Sequence, residues 1–160
     1  MLVVGAGPAG SAAAEITARA GLSTLLLDRR RSVGVPVRCG EYVPRMLLME
    51  IDGVAATVAS ETRRIVLHLP DGTEEVVDAP GLVLDRDRFD AALAGAALAA
   101  GAGIMMDSPF AGLLPDGCAA VGGERGGRIK ARVIVGADGP ASSVARAAGL
   151  ARNDLMRASQ

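Results

Sequence analysis

Gly5, Gly7 and Gly10 follow a short aliphatic run, precede an Ala-rich one, and are answered eighteen residues after Gly10 by an acid, Asp28. Three glycines spaced G-x-G-x-x-G between a strand and a helix, with an acid closing the next strand, are the pattern of a βαβ unit that receives a dinucleotide. Each glycine has its own reason. Gly5 allows the tight turn, Gly7 has no Cβ to hold a diphosphate off the backbone, and Gly10 lets the helix approach the sheet. Ala14, one turn on, keeps that approach close. The helix N-terminus offers unpaired N–H groups and a partial positive charge, and Pro8 costs little there because first-turn N–H groups have no intrahelical partner. Asp28 is placed to accept from the ribose hydroxyls, and an acid there disfavours a 2′-phosphate, so FAD or NAD is expected rather than NADP. The plain alternative is a Gly-rich corner that only packs a helix on a sheet. Of the three arginines that follow, Arg29 is the contact candidate. Arg30 and Arg31 read as a solvated basic loop, since adjacent residues of an extended segment cannot all face one ligand.

The rest of the chain bounds what surrounds this unit. Half of the 160 residues are apolar, and a compact fold of this length buries roughly 70% of its unfolded surface, so disorder is excluded. With 17 Lys and Arg against 18 Asp and Glu, one Tyr and two Phe, there is neither charge nor stacking surface for nucleic acid. No apolar run reaches the roughly 18 residues of a membrane span, and no basic region precedes the first apolar stretch, so a cytoplasmic protein is expected. Cys39 and Cys118 have no partner spacing for zinc or a disulfide framework, and no metal is expected.

Periodicity predicts an α/β fold. Residues 1–4 and 23–27 read as parallel strands, and 11–20 as the helix between them. The first strand is short for a central parallel strand, so residues ahead of it are expected to be missing. Residues 29–44 hold Gly34, Pro36 and Gly40 and predict a long loop. Residues 62–69 and 73–77 flank Pro70-Asp71-Gly72 as a hairpin. Phe89, Ala92, Leu93, Ala96 and Ala100 recur at helical spacing, ended by Gly101. Residues 104–106 read as a strand, 110–114, 118–121 and 128–130 as an antiparallel meander, 132–135 as a core strand and 142–148 as a short helix that Ser142 can cap. His68 and Glu74, Glu75 and Asp78 read as a solvated hairpin surface, with no triad or carboxylate pair.

An ordinary NAD domain would continue with a helix and strand soon after Asp28, whereas here a loop and hairpin intervene. Gly5-Ala6-Gly7-Pro8-Ala9-Gly10, Asp85-Arg86 with Phe89-Asp90, and Val133-Ile134-Val135-Gly136-Ala137-Asp138-Gly139 with Ser142 resemble FAD-dependent oxidoreductases of the p-hydroxybenzoate hydroxylase-like fold. Within that superfamily, Pro36-Val37-Arg38-Cys39-Gly40-Glu41 resembles the Cys-Gly signature of the geranylgeranyl reductases, which saturate isoprenoid double bonds. The resemblance runs from Met1 to about Leu150. It implies a Rossmann-like FAD-binding domain over residues 1–150 with an inserted antiparallel hairpin and meander, and a tail at 151–160. It also implies an N-terminal portion of a longer reductase of lipid biosynthesis, because the family's third motif lies past Leu150.

By the same resemblance Ala9 and Asp28 contact the adenosine half of FAD. Arg38, Cys39 and Gly40 lie along the cofactor toward the flavin, Arg86 reaches the diphosphate side, the backbone near Phe110 touches adenine, and Asp138 and Gly139 form the second cofactor motif. Gly136 and Gly139 permit close backbone approach at a strand end. Cys39 is the catalytic candidate, against the ordinary reading of a lone Cys as a small buried hydrophobe. The implied reaction is hydride transfer from reduced flavin to an isoprenoid alkene, with NAD(P)H or ferredoxin as electron donor. The alternatives are a flavin-dependent aromatic monooxygenase and a non-catalytic nucleotide-binding fragment. Lipid substrates leave peripheral membrane contact open, although no amphipathic basic helix is present to dock with.

Overall fold

A computed structural model describes residues 1–37, 39–47, 51 and 53–150. They fall into two compact units. One is built from Met1–Val35 and the chain from Asp90 onward, the other from Pro36–Phe89.

The first unit is organised by a four-stranded parallel sheet in the order β10-β1-β2-β6, formed by Ile134–Gly136, Leu2–Val4, Leu25–Leu27 and Gly103–Met105. β1 lies between its partners in register, Leu2 opposite Leu25 and Ile134, and Val4 opposite Leu27 and Gly136. A central parallel strand is covered on both faces, which is why it reads as an unbroken aliphatic run. Alternation sends Val3 and Leu26 to one face, where they pack with Ala14 and Ala18 of helix α1 (Pro8–Arg19) and Ala97 of helix α2 (Arg86–Ala99). Leu2, Val4 and Leu27 go to the other, against Phe110, Ala119 and Val121. Those last residues come from an antiparallel sheet β7-β8-β9 (Phe110–Leu113, Ala119–Val121, Gly127–Ile129). The buried face of α1 is Gly10, Ser11, Ala14 and Ala18. Such small residues bring the helix axis close to the sheet, so that Leu2, Val3, Leu26 and Leu27 are fully buried and contribute apolar stabilisation.

The second unit is a three-stranded antiparallel sheet, β3-β5-β4 (Tyr42–Pro44, Glu74–Leu84, Val58–His68). Its hairpin is longer than the composition of its ends predicts, because the strands run on through Ser60, Glu61, Pro80 and Gly81, with bulges between Val58 and Ser60 and between Thr62 and Arg64. The turn forms as expected: Gly72 has φ +86, and the Asp71 carboxylate accepts from the Thr73 N–H (2.9 Å) and hydroxyl (2.6 Å). Arg64 faces Asp78 as an exposed ion pair, and the exposed His68 Nδ1 lies 3.0 Å from Glu74 Oε1 across the same hairpin. A Cβ at Gly81 would overlap the Tyr42 ring, so glycine makes room there for the single tyrosine.

Two of the differing boundaries bear on the site. α1 begins at Pro8 rather than Ser11, because proline's fixed φ suits a first helical position. The long loop ends in a strand, Tyr42–Pro44, recruited by pairing with β5 that its own composition does not signal.

Candidate functional site

The turn after β1 carries the first group of site residues. Gly5 has φ +104, and a Cβ there would overlap the carbonyl of Ala137. A Cβ at Gly10 would overlap the carbonyl oxygen of Gly5 and lie 3.2 Å from the Ala137 side chain. These two glycines therefore let three backbone segments stack: the turn, the start of α1, and the loop after β10. The sequence assigned Gly10 to helix-on-sheet contact, and its nearest backbone neighbour is Gly5, whose N–H donates to the Leu27 carbonyl of β2 at the sheet edge of the turn. At Gly7 a Cβ would meet nothing within 4 Å. Gly7 is the N-cap of α1 and supplies no side-chain cap to the first-turn N–H groups, while Pro8 is half-buried and Ala9 exposed. Open space in front of uncapped helix donors is what a diphosphate needs.

Asp28 closes β2 beside this turn and is only 5% exposed. Its Oδ2 accepts the Ala6 N–H at 2.8 Å, so the carboxylate is tied directly to the fingerprint turn. Burial pushes its pKa up, but the Arg30 side chain and the N–H groups of Arg30 and Ala6 outweigh this and hold it below the ordinary carboxylate range. Arg30, expected to be solvated, is half-buried and forks onto Asp28 through Nε and Nη2, both at 3.1 Å. Arg29 is exposed. The local cause is a turn rather than strand alternation: the chain bends after β2 and the Asp28 Oδ1 accepts the Arg30 N–H at 2.8 Å, the bond an Asp side chain makes two residues on.

The second motif is a support for the first. Asp138 accepts from the Ser142 hydroxyl at 2.5 Å and from the Ser143 N–H and hydroxyl at 2.6 and 2.9 Å. Burial raises the pKa of Asp138, and these donors together with the Val144 N–H bring it below the usual range. Ser142 caps helix α3 (Ser143–Ala147), accepting from the Ala145 N–H at 2.9 Å. The Asp138 carboxylate is thus committed to the head of α3, and it is the Ala137–Asp138 backbone that reaches Gly5. Gly139 takes φ +83 with open space around its Cα, and Gly136 makes room for Val144. Ala6, Ala137 and Ser143 were not given a role in the sequence, and Arg30 was read as solvated. Each acts through a neighbour brought up by the fold.

Phe110 is a core side chain, 6% exposed, whose strand pairs with Val121. Within the second unit, Arg86 opens α2 with its guanidinium 5.7 Å from the Phe89 ring centre. Cys39 is half-buried and Gly40 exposed. Glu41 has φ +63, a left-handed conformation costly to a residue with a Cβ, and the Tyr42 N–H closes the turn on the Gly40 carbonyl at 2.7 Å. Arg38 lies outside the described residues.

Residues 1–159 match a family described as the FAD binding domain. The chain belongs to the FAD-binding domain family. The residues present fit that cofactor on the geometry above: a turn with space at Gly7, uncapped donors at the head of α1, and a buried acid one strand over. Among similar curated proteins are digeranylgeranylglycerophospholipid reductases. That of Picrophilus torridus is 35% identical over 98% of this chain and 44% of its own length. That of Thermoplasma acidophilum is 36% identical over 100% and 45%, and that of Methanothrix thermoacetophila 40% identical over 94% and 41%. This FAD-binding chain therefore spans less than half the length of the curated relatives it matches. A solved geranylgeranyl bacteriochlorophyll reductase-like protein from Thermoplasma acidophilum superposes with a TM-score of 0.81 at 32% identity, covering 93% of this chain and 41% of that one. A myxobacterial FAD-dependent halogenase (TM-score 0.73, 20% identity, 91% of this chain and 38% of that one) shares the fold alone.

Proposed function

We propose that this chain is the FAD-binding part of a flavin-dependent reductase that saturates the carbon–carbon double bonds of isoprenoid lipid chains. The observation that carries the reading is the match, at 35 to 40% identity, to proteins named digeranylgeranylglycerophospholipid reductase. The Cys39-Gly40 signature supports the same reading. Bound FAD would supply the hydride equivalent, and the protein supplies binding and orientation. Asp28 accepts from the ribose, the Gly7 space and the head of α1 receive the diphosphate, and Asp138 holds the loop that braces Gly5. In this reading residues 1–150 are one FAD-binding portion continued by 151–160, Arg29, Arg38, Arg86 and the backbone at Phe110 line the cofactor, and Cys39 helps shape or protonate the reacting site. NAD(P)H and ferredoxin are the electron donors to compare, and peripheral contact with a lipid surface follows from the proposed substrate.

The test has two arms. Adding FAD to the purified chain should give the resolved absorption bands of a protein-bound flavin. The product of the whole coding sequence, reduced with dithionite without oxygen, should add two hydrogens per double bond to a geranylgeranyl lipid by mass spectrometry. Binding without reduction of any alkene would overturn the reductase assignment and leave the FAD site standing. Replacement of Cys39 by Ala with unchanged turnover and flavin spectrum would remove the role given to that residue.

A further inference from the structure

Asp28 has no acceptor position to spare. Its Oδ1 accepts from the Arg30 N–H (2.8 Å) and Nε (3.1 Å), and its Oδ2 from the Ala6 N–H (2.8 Å) and Arg30 Nη2 (3.1 Å). An ionised carboxylate offers about four lone-pair directions. The two backbone donors are held by the fold: the Arg30 carbonyl accepts from the Asp107 N–H at 2.8 Å, the Asp28 carbonyl from the Ser108 N–H at 2.8 Å, and the Asp28 N–H donates to the Met105 carbonyl at 3.0 Å. The two guanidinium donors belong to a side chain that is 32% exposed and can rotate into solvent.

We propose that Arg30 is a displaceable clasp on the ribose-binding carboxylate. Its fork holds Asp28 in the free protein and is exchanged for the 2′ and 3′ hydroxyls of an adenosine ribose when the nucleotide enters. The inference rests on reading the Gly5–Gly10 turn as a nucleotide site. The exchange is balanced: two N–H donors leave the carboxylate for water and two O–H donors take their places. It also accounts for why a buried acid is not left as an uncompensated charge before the ligand arrives. Arg30 is a positioning residue in the free state and a competitor of the ribose during binding.

The experiment compares ADP with 2′,3′-dideoxy-ADP by calorimetric titration into the purified chain, its Arg30→Gln variant and its Asp28→Asn variant. The dideoxy ligand cannot replace the fork, so it binds with the clasp shut, and any general effect of losing a cation acts on both ligands. The preference for ADP over the dideoxy analogue should rise about two- to fivefold in Arg30→Gln, as expected for removal of a partly exposed ion pair. In Asp28→Asn the preference should fall toward one. In the parent chain the Arg30 Nε–H NMR signal should be protected from exchange without ligand and lose that protection on saturation with ADP. A preference that is unchanged or lower in Arg30→Gln, with ADP still binding, overturns the clasp while leaving the nucleotide site intact. Absence of ADP binding in both the parent and Arg30→Gln overturns the nucleotide reading and the clasp with it. If Arg30→Gln does not fold, the Nε–H signal of the parent decides, and protection that survives ADP saturation overturns the proposal.

Discussion

At the residue scale, the three fingerprint glycines are separable by experiment, because each is glycine for a different reason. Gly7 has φ −81 and ψ −177, which alanine adopts freely, and nothing within 4 Å of its Cβ position. Gly7→Ala is expected to leave stability within about 0.5 kcal/mol of the parent and to weaken FAD binding about tenfold or more, by filling the space in front of the α1 donors. Gly10→Ala puts a Cβ onto the Gly5 carbonyl oxygen, and overpacking against backbone should cost about 3 kcal/mol or more. Thermal unfolding read beside flavin fluorescence titration checks both. Equal loss of stability in the two variants would show that Gly7 also sits in a packed position. Asp28 and Asp138 set the acid behaviour. Both are held below the ordinary aspartate pKa by their donors, so the unfolded chain binds more protons than the folded one between the two values. Their stabilisation is complete above about pH 4 and is lost as pH falls through the lower folded values. Urea midpoints measured from pH 6 down to pH 2 should therefore fall more gently below pH 4 in Asp28→Asn and Asp138→Asn than in the parent.

At the element scale, helix α3 is five residues long, too short to persist without help. Its help is the Ser142 cap together with the Asp138 carboxylate facing the N–H groups of Ser143 and Val144. Removing the cap hydroxyl in Ser142→Ala also takes a donor from Asp138, and the expected loss is about 1 to 2 kcal/mol. In a domain of this length that is a fall of a few degrees in Tm. Because the loop that α3 anchors touches Gly5, the same variant should also weaken FAD binding. Ser142→Asp, which restores a capping acceptor but not the hydroxyl donor, should recover helix stability only in part.

At the scale of the whole molecule, burial is uneven. Leu2, Val3, Leu26 and Leu27 of the parallel sheet are 0% exposed, whereas Val66, Leu67, Val76 and Val77 of the hairpin are between 43 and 59% exposed. Opening free energy follows buried apolar contact. Amide exchange should therefore be slowest in β1 and β2, and the outer half of β4–β5 should exchange through local opening far below the global free energy. Saturation with FAD at about one hundred times its Kd should stabilise the first unit by about 2.7 kcal/mol. That added protection belongs in β1, α1 and β2. If FAD slowed exchange in the hairpin and not in these elements, the assignment of the nucleotide to the Gly5–Gly10 turn would be wrong.

The strand, three glycines, helix, strand and acid of residues 2–28 were legible in the chain because every part of that signal is local: apolar runs, missing Cβ atoms and a spacing set by one βαβ unit. The hairpin turn, the antiparallel meander and the Ser142 cap were legible for the same reason. Three things were decided only by tertiary structure. Gly5 and Gly10 meet Ala137 because β10 pairs with β1, a neighbour that no local window contains. Asp138, which the sequence places in the second cofactor motif, draws its donors from Ser142 and Ser143 at the head of α3. Arg30 took Asp28 because the chain bends after β2 and residues 105–108 hold the backbone of that bend by hydrogen bonds to Asp28 and Arg30. A pattern along one dimension states which donors and acceptors a chain owns. Which of them meet depends on where remote segments are packed, and buried polar groups settle their partners only once that packing excludes water.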